Sequence, residues 1–149
     1  RVFHMDDFFL QPYQRTPERL QAPGENVDHE RFLQEVLLPA ARGEAVVYRP
    51  YLCAREVLGP AVSVPPARLT IVEGSYACHQ TLWPHYHLRI FLTVDPREQL
   101  RRIEARSGPE KLRQFIDRWI PLEEQYFQAY SLAERFLCIL HNLFPLFLA

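Results

Sequence analysis

Two short apolar stretches of the sequence end in acidic side chains that could carry chemistry. Asp6 and Asp7 close the first stretch, residues 2–5, and Glu73 closes a second, residues 69–72. If both stretches are parallel strands, their carboxyl ends lie on one edge of a sheet, where open α/β folds bind ligands. A carboxylate there can accept a proton from a substrate hydroxyl, or hold Mg²⁺ against phosphate oxygens. The repeated pattern favours a functional acidic group over isolated helix caps or solvated strand ends.

Basic side chains form a second candidate group beyond residue 95. Paired basic residues one helical turn apart can clamp phosphate oxygens. We expect most of the group to be an ordinary solvated helix face, with Glu98 and Arg102 as an i,i+4 ion pair, and one or two members to contact phosphate. The members are Arg101, Arg102, Arg106, Lys111, Arg113 and Arg118.

Histidine and cysteine residues between positions 78 and 87 include metal-ligand types. The spacing of Cys78-His79 and His85-x-His87 matches no common zinc pattern. On a strand, His85 and His87 would also point to opposite faces. The sequence therefore does not favour a metal site here.

The elements that must position these residues follow an α/β order. Four continuously apolar runs predict strands buried on both faces, as in a parallel sheet: residues 2–5, 69–72, 88–94 and 136–140. Leu10 to Asn26 and Pro50 to Pro66 are proline-rich and predict binding loops. We expect a mostly parallel sheet flanked by helices, in a single domain spanning residues 1–149.

Helix signals fall between the predicted strands. Residues 28–42 form a helical pattern with Asp28 as the N-cap, and Pro39 is predicted to kink or end it early. Asp95 predicts a second N-cap for a helix running to about Gly108. Residues 109–130 predict a further helix, interrupted by Pro121.

Composition limits the class of protein. The chain has 149 residues, 48% of them hydrophobic, and a formal net charge of −1. These values are typical of a globular protein and favour neither nucleic acid nor a membrane as a partner. Three cysteines without a CxxC pair indicate reduced thiols, so we expect a cytoplasmic protein.

Five motifs in order make the chain resemble uridine kinases, within the P-loop group that includes phosphoribulokinase and pantothenate kinase. The motifs are HMDDFF at 4–9, NVDH at 26–29, VYRPY at 47–51, IVEG at 71–74 and the arginine-rich segment 101–106. The resemblance implies ATP- and Mg²⁺-dependent phosphorylation of the 5′-hydroxyl of uridine or cytidine. The implied partner is thus a small nucleoside.

The resemblance also implies residue roles. Asp6 would accept the proton of the acceptor hydroxyl, and Asp28 would bind the ribose hydroxyls. Tyr51 would line the base pocket, and Phe9 would also contact substrate. Glu73 would lie near Mg²⁺, holding it through water. Arg102 and Arg106 would belong to a lid-like helical segment at about residues 96–118.

The sequence departs from the family in ways that carry expectations. The phosphate-binding motif G-x-x-x-x-G-K-[ST] does not occur, and the family places it before the strand that opens this chain. We therefore expect a kinase-like domain lacking its first strand, P-loop and following helix, and inactive on its own. Leu52 replaces a common aspartate after Tyr51, and the tail at 136–149 is unusually apolar.

Two alternatives remain open at the level of sequence. One is a non-catalytic module that binds a nucleoside or associates with itself. The other is a kinase of a different small hydroxylated metabolite, because acceptor specificity would depend on loops such as residues 10–26.

Overall fold

The computed structural model describes residues 1–136 and the backbone of residues 139–141. The chain divides into two compact units, Arg1–Tyr86 and His87–Ala149. Each unit combines helices with small two-stranded sheets, so the α/β class predicted from the sequence is confirmed.

The first unit contains one parallel strand pair and two antiparallel pairs. Strand β1 (Val2–His4) lies parallel to β6 (Ile71–Glu73), with His4 opposite Glu73. The antiparallel pairs join β2 (Val46–Tyr48) to β5 (Val62–Val64), and β3 (Tyr51–Leu52) to β4 (Val57–Leu58). The short helical elements include the 3₁₀ turns Met5–Phe8, Pro12–Gln14 and Trp83–His85 and the helix α1 (Pro17–Gln21).

A single helical rod, residues 29–41, follows Asp28. It consists of α2 (His29–Phe32), a π-helical turn (Leu33–Leu37) and α3 (Leu38–Ala41). Of the two predicted effects of Pro39, an early end is not observed, because the helix continues to Ala41. Proline lacks an N–H and its ring crowds the carbonyl four residues earlier, and a wider π turn directly before it lets the rod continue. The helix ends before Gly43, whose φ is 69°.

The core of the first unit includes side chains from the turn Met5–Phe8 that follows β1. Met5, Phe8 and Phe32 are fully buried. The rings of Phe8 and Phe32 meet edge to face with centroids 4.9 Å apart. This packing fixes the turn that carries Asp6 and Asp7.

Burial of the strands on both faces, as predicted, is not observed. In β1 the side chain of Phe3 is 2% exposed, whereas that of Val2 is 52% exposed. Ile71 in β6 is 47% exposed. The parallel sheet of this unit has only two strands. Each strand therefore has few neighbours to cover its second face.

The second unit pairs β7 (Phe91–Thr93) in parallel with β8 (Ile139–His141). Helix α4 (Pro96–Gln114) begins at the predicted cap, because the Asp95 Oδ1 atom accepts the backbone N–H groups of Arg97 and Glu98 at 2.9 and 3.2 Å. The predicted break occurs at Gly108, whose φ is 80°.

A π turn and two short helices follow α4 in the described part of the second unit. The π turn spans Phe115–Trp119, and it leads into α5 (Ile120–Ala129) and α6 (Leu132–Arg135). The predicted apolar tail lies outside the described residues, except for its part at 136 and 139–141. In the described chain, no helix is both long and apolar enough to cross a membrane.

Candidate functional site

The parallel register of β1 and β6 brings the ends of the two acidic motifs to one side of the first unit. His4 lies opposite Glu73, and its Nδ1 atom contacts the Glu73 Oε1 atom. Two residues later the 3₁₀ turn Met5–Phe8 carries Asp6, which is exposed. Glu73 thus ends β6, and Asp6 lies just beyond the end of its parallel partner β1.

Gly74 allows the segment after β6 to pass close to the segment after β1. Its φ is 129°, and a Cβ atom at this position would lie 2.8 Å from the Cβ atom of Met5. A side chain here would separate the two strand ends. Glycine is therefore required at the residue that follows Glu73.

Asp7 is bound into the fold. The Tyr48 hydroxyl donates to the Asp7 Oδ2 atom at 3.1 Å, and Arg31 Nη2 donates to the Asp7 carbonyl at 3.2 Å. Burial, and then the negative charge of Asp7, raise the pKa of Tyr48 to about 12. These contacts favour a structural role for Asp7.

Asp28 caps the helical rod, as predicted, and is 4% exposed. Its Oδ1 atom accepts the Arg31 backbone N–H at 3.0 Å, and its Oδ2 atom accepts the Gln14 side-chain amide at 2.9 Å. The Asp28 N–H donates to the Phe8 carbonyl at 2.6 Å. Gln14 thus occupies one acceptor position of the carboxylate, and a ligand hydroxyl that bound Oδ2 would have to take its place.

Tyr51 is 5% exposed and is held by Arg15. Arg15 Nη2 donates to the Tyr51 hydroxyl, and the guanidinium lies 5.6 Å from the centre of the ring. Arg15 Nη1 also pairs with the Glu56 Oε1 atom at 2.6 Å, in the turn between β3 and β4. Burial of Tyr51 raises its pKa. Arg15 could not be singled out from its local pattern, because its partners are distant along the chain.

Phe9 is half-buried, and its backbone bridges Val27 in antiparallel fashion. This bridge places Phe9 beside the residue that precedes Asp28. Arg31 supports the same region, because its guanidinium lies 4.5 Å from the centre of the Phe8 ring. The bridge to Val27 holds Phe9, and Arg31 contacts both Asp7 and Asp28.

The proposed lid arginines lie in the second unit. Arg102 Nε donates to the Glu98 Oε1 atom at 2.7 Å, so the predicted i,i+4 pair is present. Arg101 also donates to Glu98, and these hydrogen bonds lower the pKa of Glu98 to about 2. The Arg106 guanidinium lies 5.7 Å from the centre of the Phe115 ring.

The chemistry of the acidic residues fits a magnesium ion. Carboxylate oxygens are the ligands Mg²⁺ prefers, and it usually keeps several waters, which suits the half-exposed Glu73 and the exposed Asp6. Among the described residues, arginines could bind the phosphates of ATP. The glycine-rich loop G-x-x-x-x-G-K-[ST], whose backbone N–H groups bind phosphate, is not among the 149 residues.

A buried group that the sequence pattern did not reveal lies nearby. Glu25, His29 and His79 place their oxygen and nitrogen atoms within 4.8 Å of one another. The sequence suggested partners for His79 only among its neighbours, Cys78, His85 and His87. Its actual partners come from the segment around Asp28, which a linear motif cannot indicate.

Comparison with known proteins gives a fold but no family. No family model and no curated protein matches the sequence. Among solved structures, the chain is similar to a possible uridine kinase from Bacillus stearothermophilus, with a TM-score of 0.66 and 16% sequence identity. The match covers 93% of this chain and 70% of that one. At this identity the likeness shows that the two proteins share a fold.

Proposed function

We propose that this chain is the substrate-binding part of a uridine-kinase-like phosphotransferase, with a P-loop-kinase-like parallel sheet. The reaction would be ATP-dependent phosphorylation of the 5′-hydroxyl of uridine or cytidine. The observation that carries the proposal is the parallel pairing of β1 with β6, which sets Glu73 at the end of one strand and Asp6 just beyond the end of its neighbour. The fold shared with a possible uridine kinase supports it.

The acceptor would bind to residues of the first unit. Asp28 would accept hydrogen bonds from the ribose hydroxyls, replacing the amide of Gln14. Tyr51 and Phe9 would contact the base. Asp6, exposed at the strand end, would accept the proton of the 5′-hydroxyl as the phosphoryl group transfers.

Positive charges would neutralise the phosphates of ATP. Mg²⁺, when bound, neutralises negative charge that develops on the phosphoryl oxygens, and Glu73 would hold it through water. Arg102 and Arg106 would add positive charge from the lid-like segment at 96–118. For Arg102 to do so, its hydrogen bond to Glu98 must be exchanged for one to phosphate.

The 149 residues should bind an acceptor without transferring phosphate at an appreciable rate. Phosphoryl transfer depends on positioning and on electrostatic stabilisation, and the motif that supplies both in this group is not among these residues. ATP-dependent phosphorylation of uridine by the 149-residue chain would contradict this statement.

A thermal-shift screen of nucleosides tests the acceptor assignment. We expect uridine and cytidine to raise the melting temperature, and adenosine and guanosine to have no effect. Asp28→Ala should abolish the shift, and Asp28→Asn, which keeps an acceptor for the Arg31 N–H, should weaken it without unfolding the rod. Asp117→Ala, at an exposed acidic residue in the second unit, is the control and should shift like the wild type.

A second candidate function is self-association without catalysis. Three apolar side chains on or beside the parallel pair favour it: Val2 is 52%, Ile71 47% and Leu69 66% exposed. Exposed apolar side chains along a two-stranded sheet are typical of a surface that pairs with another chain.

A further inference from the structure

The group formed by Glu25, His29 and His79 joins two segments of the first unit. His29 and His79 are 6% and 1% exposed, and their rings stack with centroids 3.8 Å apart and planes inclined by 14°. Both face one carboxylate. The Glu25 Oε2 atom lies 3.0 Å from His29 Nε2, and the Oε1 atom lies 3.4 Å from His79 Nε2.

The distances alone would suit a zinc ion, but the orientation of the rings does not. A metal bound to imidazole lies close to the ring plane, at roughly 2.0–2.1 Å from nitrogen. Two stacked, nearly parallel rings, with centroids 3.8 Å apart, cannot both have such an ion in their planes. The Thr81 N–H also donates to His79 Nδ1 at 3.3 Å, which leaves the ring proton on Nε2, facing Glu25. The geometry is that of a hydrogen-bonded group.

Charged neighbours surround the group. Arg19 lies 3.7 Å from Glu25 and pairs with Glu30 at 2.6 Å, and Glu30 lies 3.7 Å from His29. Burial, and then the nearby His29, lower the pKa of His79 to about 4. His79 is therefore neutral near pH 7, and its Nε2 atom faces the Glu25 carboxylate at 3.4 Å.

The group connects the two halves of the candidate site. Glu25 and His29 flank Asp28, the proposed acceptor ligand. His79 lies in the segment that follows Glu73 and Gly74. Movement of either segment would have to break the contacts of the other.

We propose that Glu25 and His79 are positioning residues that hold Asp28 in place for the acceptor. The link to acceptor binding rests on the proposed function, whereas the link to the position of Asp28 does not. A hydrogen bond to a charged group that fixes a ligand in place typically changes affinity by about tenfold when it is lost.

Three substitutions and one control separate positioning from folding. His79→Gln keeps an N–H group near the Nε2 position without a titrating ring, His79→Ala removes it, and Glu25→Ala removes the shared acceptor. His85→Gln makes the same chemical change at an exposed histidine.

Hydrogen exchange tests the position of Asp28. The Arg31 amide donates to the Asp28 carboxylate, so its exchange reports the capped state. We expect about tenfold faster exchange in His79→Ala and Glu25→Ala, and wild-type exchange in His79→Gln and His85→Gln. Unchanged exchange in His79→Ala would overturn the proposal, whether or not uridine binds.

Titration calorimetry with uridine tests the consequence for binding. We expect about tenfold weaker binding in either alanine variant, no further loss in the double variant, and recovery in His79→Gln. Wild-type binding should weaken as the pH falls from 6.5 towards 4, and His79→Gln should reduce that dependence. Faster exchange with unchanged affinity would overturn the functional half of the proposal, whereas absent binding in the wild type would count against the proposed function instead.

Titration with zinc chloride tests whether Glu25, His29 and His79 bind a metal ion instead. We expect no tight binding in the wild type. Micromolar or tighter zinc binding that is lost in His79→Gln would overturn the assignment as a hydrogen-bonded group.

Discussion

Two aspartates near the acidic edge are already held by hydrogen bonds in the fold. Asp28 and Asp7 accept hydrogen bonds from Gln14, Arg31 and Tyr48. Asp6 is exposed at the strand end. Substitution of Asp28 or Asp7 should therefore cost stability as well as any function, and the two effects must be measured separately.

The bond between Tyr48 and Asp7 gives a first prediction. Tyr48→Phe should lower the free energy of unfolding by about 1 kcal/mol, because one buried hydrogen bond is lost. The pKa of Tyr48 is raised to about 12, so the stability it contributes is full below pH 10 and is lost as the pH rises towards 12.

Absorbance titration at alkaline pH checks this prediction. One tyrosine of the wild type should ionise near pH 12 and should be missing from Tyr48→Phe. Tyr13→Phe is the control, because Tyr13 is 77% exposed. An unchanged titration curve in Tyr48→Phe would contradict the assignment.

His79 gives a second prediction, on the acid side. Its pKa is lowered to about 4 in the folded state, so the unfolded chain binds the extra proton more readily. The free energy of unfolding should be greatest above pH 6.5 and should fall as the pH drops towards 4. In urea titrations across this range, His79→Gln should show a shallower fall than the wild type, and His85→Gln should match the wild type.

Contacts between close neighbours in the sequence were predictable, and those between distant segments were not. The Asp28 cap and the pair of Glu98 with Arg102 span at most four residues, so residue type and spacing suffice to predict them. The bond from Arg15 to Tyr51 joins residues 36 apart. It depends on how loop 10–26 folds back, which no local pattern encodes.

At the level of elements, the parallel pair β1 and β6 depends on Gly74. Gly74→Ala should lower the free energy of unfolding by about 2–4 kcal/mol, because the new Cβ atom would meet Met5 and the backbone φ is positive. Gly43→Ala is the matched control. Its φ is also positive, but nothing lies within 4 Å of the new atom, so we expect a loss of only about 1 kcal/mol.

Urea unfolding of both glycine variants checks this prediction. Equal losses at the two sites would show that the close approach to Met5 contributes nothing. Recovery of Gly74→Ala by Met5→Ala is not expected, because alanine keeps the Cβ atom that makes the contact.

At the level of the whole molecule, apolar runs were a poor guide to burial. The sequence predicted strands covered on both faces, whereas Val2, Ile71 and Leu92 are 52%, 47% and 59% exposed. The local runs of apolar residues favour strands, but the number of neighbouring strands determines how far those strands are buried. The described sheets have two strands each.

This exposed surface gives a prediction about assembly. Leu69→Lys should shift the 149-residue chain towards the monomer in light scattering, because a charge at an exposed apolar site opposes association. Tyr13→Lys, at a side chain that is 77% exposed and outside the sheet, should leave the distribution unchanged. A wild-type chain that is monomeric at all concentrations would exclude self-association.

The π turns before two prolines have a consequence for comparing this chain with its relatives. In each, the N–H of the residue before the proline, Leu38 or Ile120, bonds to a carbonyl five residues earlier. Such a turn contains one residue more than an α turn. A protein of the same fold without the proline could do without that residue, and an alignment would then need a single-residue gap inside a helix. Coordinates superimpose across such a gap with little loss, whereas a residue-by-residue comparison loses its register there.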